Sequence, residues 1–343
     1  MIFAFALNAA LAADPAAVEF LTVDDAAPQR YEFSLRASDL DPAAKAHPEL
    51  GFYIERDGKP ADRQVAAVDT RVPLRGRLVI WLMGPKPALF ERLNGYGLHV
   101  IQPHYARHWY GRICRDKPVG PDCRGNARLE ATTGIDASDD MDLAPADGMA
   151  ERARQMVVRL AAENPQARWD AFLDDDDQLI WDRVIVSGAS HGASSAARFA
   201  VHQRVARVVC LCGPRDQFQR WQGQESATPA NRFFGFTHTL DYGWSEDHYC
   251  RSWQMLGLER FGPLVDVDAS APPFRNSRRL LTSFDVDGDA KRAHSSVTPG
   301  PAALKKNGQL AHEPVWRYLY THPVDEVGQP VEAEPCDLEQ SQD

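Results

Sequence analysis

The sequence predicts an α/β protein: a doubly wound, mostly parallel sheet with helices on both faces, in three layers. Three observations carry this. Apolar runs of strand length alternate with helix-like stretches across short connections. Residues 77–83 (RLVIWLM), bounded by Gly76 and Gly84, read as a strand buried on both faces. Residues 183–187 (RVIVS) run straight into Gly188-Ala189-Ser190-His191-Gly192 and then into a helix of small residues.

The elements follow in order. Residues 31–75 contain short strand-like runs, among them 51–55, which ends at a turn in Asp57-Gly58. After the strand at 77–83, residues 87–94 are helix-like and stop at Asn94-Gly95. Residues 98–102 (LHVIQ) form the next strand. Residues 105–140, rich in Arg, Gly and Asp, read as loop. Met156, Val157, Leu160 and Ala161 give residues 149–162 a helical period. The strand at 183–187, a helix over 191–202 and a strand over 205–212 follow. Residues 232–241 look like a strand ending in Asp241, 248–258 a helix, 279–284 a strand and 314–320 an amphipathic helix. Four units are expected: a signal peptide over 1–13, an N-terminal strand region over 14–74, the main α/β domain over 75–322, and an acidic disordered tail over 323–343.

Composition narrows the function. With 48 acidic against 38 basic residues, the chain is a poor phosphate-backbone binder. No apolar run approaches the roughly 20 residues of a membrane helix. Ile2 to Ala13 is apolar apart from Asn8, with small residues at Ala10 and Ala12, which predicts an export signal and a secreted or periplasmic destination. Exported thiols meet an oxidising compartment, and Cys114 and Cys123 in one Gly/Pro-rich loop are the pair expected to bridge. Cys210 and Cys212 point to one face of a strand and read as free buried cysteines; Cys250 and Cys336 have no evident partner. No Cys/His spacing suggests zinc, so no metal and no cofactor is expected.

The pentapeptide Gly188-Ala189-Ser190-His191-Gly192 is the chemical signal. A sharp strand-to-helix turn strains the serine backbone and lifts its hydroxyl above the strand end, with a helix N-terminus behind it. Here the chain resembles the α/β-hydrolase superfamily, in particular a secreted bacterial serine-hydrolase branch. The resemblance spans roughly residues 75–320. It includes the strand before Gly84, the segments at 96–101 and 181–184, and residues 314–319. It implies an α/β-hydrolase fold and a triad in the chain order serine, acid, histidine.

A serine hydroxyl needs an imidazole to take its proton, and the imidazole needs a carboxylate to hold its tautomer. His294 follows the strand at 279–284 in a polar loop (AKRAHSSV) and is the favoured base, with His312 as the alternative. Asp241 is the favoured acid, which puts Ser190, Asp241 and His294 on separate strand ends. Asp216, Asp285 and Asp287 are the alternative acids. Residues 285–289 also resemble the start of a calcium loop, but the glycine comes at position four and Ser296 stands at position twelve. The oxyanion hole is expected from the backbone N–H groups of His191 and Lys86, because Pro85 and Pro87 have none. Phe233, Phe234, Phe236, Tyr242 and Trp244 are expected to divide between core packing and a pocket wall. The expected activity is cleavage of a small or polymeric carboxylic ester through an acyl-enzyme. An amidase, a peptidase, a polyester depolymerase or a non-catalytic binding protein are the alternatives. No long amphipathic lid insertion favours a lipase.

Overall fold

A computed structural model describes residues 20–333 and 336, apart from 117, 217, 218, 246 and 247. The expected signal peptide lies outside the described residues. Nine strands form one sheet: β1 Arg30–Arg36, β2 Arg63–Asp69, β3 Leu78–Trp81, β4 His99–Gln102, β5 Val184–Ala189, β6 Arg207–Leu211, β7 Phe233–His238, β8 Leu264–Asp266 and β9 Arg279–Thr282. Their order across the sheet is β1-β2-β4-β3-β5-β6-β7-β9-β8. β2 runs antiparallel to β1 and to β4, and every other neighbouring pair is parallel.

This order explains the layers. From β3 the chain crosses to β4 on one side through helix Pro87–Gly95, whereas from β5 it crosses to β6 on the other through helix His191–His202. Right-handed crossovers in opposite directions put those helices on opposite faces. The central strands are therefore covered on both sides, and β3, β4 and β6 are buried at every position. This is the α/β-hydrolase fold, with an antiparallel N-terminal edge. The direction of the parallel strands brings the ends of β3, β5, β6, β7 and β9 to one rim, where ligands bind in open α/β sheets.

Three expectations are corrected. Residues 105–140 are not all loop, because helix Cys123–Thr133 lies within them. It is polar and carries Gly125, yet it packs against helix His191–His202, and a Cβ on Gly125 would stand 2.7 Å from Trp221. His294 sits on helix Ala290–Ser296 rather than in a loop; the Asp289 carboxylate caps that helix by accepting from the Lys291 and Arg292 N–H groups. The segment from 323 is held along its described part rather than loose. The Val324 carbonyl accepts from Asn231 and Arg278, Val331 N–H donates to Glu259 O, and Cys336 pairs with Cys250. The expected Cys114–Cys123 disulfide is formed, and Cys210 and Cys212 are free and buried. Among the described residues, no helix is long and apolar enough to cross a membrane.

Candidate active site

β5 delivers Ser190 to the rim in a strained backbone state, φ 54° and ψ −120°. The local sequence makes the turn possible. A Cβ on Gly188 would stand 2.3 Å from the Gly192 carbonyl carbon, and one on Gly192 2.4 Å from the Leu82 oxygen. Only hydrogen at both positions lets strand, helix and the end of β3 close on one another. The Ser190 N–H is held by the Leu211 carbonyl at 2.8 Å. Helix His191–His202 begins at the next residue, so the His191 N–H is one of the helix's free donors, at its positive end. Lys86 stands in the turn after β3, at the head of helix Pro87–Gly95. The Ser190 hydroxyl makes no hydrogen bond with another described side chain.

Asp241 follows β7 and is fully buried; its Oδ2 is 2.6 Å from Nδ1 of His294, whose side chain is 21% exposed. The Gly243 N–H donates to the other oxygen of Asp241 at 3.0 Å, so backbone and imidazole share the carboxylate. A carboxylate at Nδ1 keeps the proton there and leaves Nε2 able to accept one. The Tyr242 ring stands 5.0 Å from the His294 ring and is partly exposed.

Cys212, at the end of β6, completes this cluster. Its backbone is left-handed, φ 51°, and its thiol donates to the His294 carbonyl at 2.8 Å. Burial first, and then the Asp241 charge, push the Cys212 thiol well above its ordinary pKa, so it stays protonated. Ligand atoms of Cys212, Asp241 and His294 lie within 4.8 Å of one another, close enough to hold a metal. Hydrogen bonds within the cluster already occupy them.

The alternative residues fall elsewhere. Asp216 is buried and bound by Arg128, whose Nε donates to Oδ2 and whose Nη2 donates to Oδ1 at 2.7 Å. Asp285 is exposed and accepts from the Asp287 N–H, and Asp287 pairs with Arg292 at 2.8 Å. His312 is buried 3.1 Å from the Thr282 hydroxyl, with its ring edge-on to Phe236 and Trp316. Burial pushes its pKa down to about 4, which suits a neutral core histidine. Phe233, Phe234 and Phe236 are buried core residues, and only Tyr242 of the aromatic segment reaches the site; the Trp244 side chain lies outside those described.

Sequence reasoning missed Arg128. Its guanidinium Nη1 donates to Nδ1 of His191 at 3.0 Å, to the His191 carbonyl at 2.9 Å and to the Ser195 hydroxyl at 3.0 Å. It thus ties helix Cys123–Thr133 to the residue after Ser190. Nothing in the helix's own pattern marks it, since its partners lie 63 to 88 residues away.

No protein-family model and no curated protein matches the chain. Among solved structures it is similar to the S-formylglutathione hydrolase of Staphylococcus aureus, at 12% identity over 69% of this chain and 73% of that one, TM-score 0.30. It is also similar to a thermostable esterase from Pseudomonas putida, at 12% identity over 89% and 85% of the two chains, TM-score 0.36. A third is Thermogutta terrifontis esterase 2, at 12% identity over 76% and 88%, TM-score 0.33. The strand order of this chain carries the fold, and its own side chains carry the site.

Proposed function

We propose that the chain is a serine hydrolase that cleaves a carboxylic ester. The 2.6 Å hydrogen bond between His294 Nδ1 and Asp241, at the same rim as the strained Ser190 turn, carries this reading. Ser190 Oγ attacks the ester carbonyl while His294 Nε2 takes its proton, and Asp241 stabilises the imidazolium that forms. The serine–histidine hydrogen bond forms when substrate closes the site, as such bonds tighten on binding. The His191 N–H, with that of Lys86, receives the charge that develops on the carbonyl oxygen. His294 then protonates the leaving alcohol. Water, deprotonated by the same Nε2, releases the acid and restores Ser190.

Two disulfides suit a protein that works outside the reducing cytosol, in a secreted or periplasmic setting. The main domain is assigned to residues 75–322, with the strand region before it supplying the sheet edge. A fluorophosphonate probe followed by peptide mass mapping tests the nucleophile. Stoichiometric label on the peptide containing Ser190 is expected; folded protein without label on that serine would contradict the reading.

A further inference from the structure

Between the hairpin that joins β1 to β2 and the segment after β4 lies a cavity of about 440 Å³. Its wall includes Arg56, Arg107, Arg112, His104, His108 and Tyr110, and among the described residues holds no Asp or Glu. The chain carries ten more acidic than basic residues, so this wall runs against the overall charge. Arg107 and Arg112 have no carboxylate at ion-pair distance among the described residues. Among the described residues, the carboxylate at ion-pair distance from Arg56 is that of its exposed neighbour Asp57, at 3.6 Å.

The cavity adjoins the reacting centre. Arg107 donates to the Met83 carbonyl at 3.4 Å, and its Nη2 is 3.8 Å from where a Cβ on Gly84 would stand. It therefore lies along the turn that leads to Lys86. The Tyr110 ring is 5.2 Å from the ring of His191, the residue after Ser190. Burial holds the His104 pKa down to about 3 and also lowers that of His108, so the arginines supply the charge at neutral pH. Arg107 is half-buried, whereas Arg56 and Arg112 are exposed; a half-buried guanidinium facing a cavity without a carboxylate is a costly arrangement unless an anion completes it. Its planar fork matches carboxylate and phosphate oxygens.

We propose that this cavity binds an anionic group carried by the substrate, so that the enzyme acts on esters bearing a carboxylate or phosphate. The proposal rests on Ser190 being the nucleophile of an ester hydrolase.

The test compares two esters of equal chain length, p-nitrophenyl hydrogen glutarate and p-nitrophenyl valerate, each corrected for spontaneous hydrolysis. The wild type is expected to favour the glutarate in kcat/KM by about tenfold or more. That preference is expected to fall by about tenfold or more in Arg107→Met and in Arg112→Met. A ratio of one or below, unmoved by both substitutions, overturns the anionic-substrate proposal while cleavage of the valerate upholds the esterase reading. If neither ester is cleaved, the esterase reading fails, and calorimetric titration of Ser190→Ala protein decides the cavity. Saturable binding of glutarate or of inorganic phosphate, weakened by each arginine substitution, upholds anion binding and says which anion is preferred. No saturable heat with either anion overturns it.

Discussion

Asp216 and Asp241 follow neighbouring strands, β6 and β7, and both are buried, yet they face different partners, and the proposed mechanism gives them opposite work. Asp241 faces the His294 imidazole, which is partly open to solvent. Asp216 faces the Arg128 guanidinium, buried like itself, whose Nε and Nη2 both donate to the carboxylate. The first pair is suited to move a proton; the second holds helix Cys123–Thr133 against the residue after Ser190. A buried carboxylate at a strand end is therefore not a triad acid by position alone. Its partner decides.

Of the effects that bear on this comparison, the largest separates the two pairs. Asp241→Asn keeps the shape but lets the imidazole adopt the wrong tautomer, and kcat on p-nitrophenyl esters is expected to fall by about 10⁴-fold with little change in unfolding midpoint. If kcat fell no more than in Asp216→Asn, the two carboxylates would not differ as described.

Asp216→Asn is expected to act on stability instead. It leaves a buried guanidinium without its counter-charge, a loss of about 3–5 kcal/mol in urea unfolding. The kcat of the folded fraction is expected to fall by about tenfold at most, because the Asp216 carboxylate bonds neither Ser190 nor His294. A fall as large as that of Asp241→Asn would merge the two roles.

The smallest effect concerns His312, the alternative base in the sequence. Native His312 stays neutral down to about pH 4, while in the unfolded chain it protonates near pH 6.5. The unfolded state thus binds more protons between those values. Its contribution is fully present above pH 6.5 and is lost as pH falls towards 4, by up to about 3 kcal/mol. His99, also buried and pushed down to about 4, behaves alike. His312→Gln is expected to reduce the pH slope of unfolding free energy between pH 6.5 and 4 while the His99 part remains. An unchanged slope would remove His312 from this account.

Much of the fold was legible because its central strands are buried on both faces and read as unbroken apolar runs. β3 is an example, as is the Val-Ile-Val start of β5, and the small-residue helix after Ser190 was legible beside them. Ser190 was legible from local geometry, since Gly188 and Gly192 are required by a close approach within six residues of chain and β3. Asp241 and His294 were legible as strand-end residues, but their contact spans 53 positions and needed the sheet to bring them together. The helix at Cys123–Thr133 was hidden because its buried face includes Arg128 and Glu130, satisfied by tertiary partners instead of apolar packing. The Cys250–Cys336 pair was hidden by an 86-residue separation and by the acidity of the segment around Cys336.

The most direct test of the central claim is turnover of p-nitrophenyl esters by Ser190→Ala beside the wild type, with folding checked by unfolding midpoint. Loss of kcat by about 10⁵- to 10⁶-fold is predicted, because the nucleophile and its base act as a unit. Turnover equal to that of the wild type would contradict the assignment of Ser190 as the nucleophile.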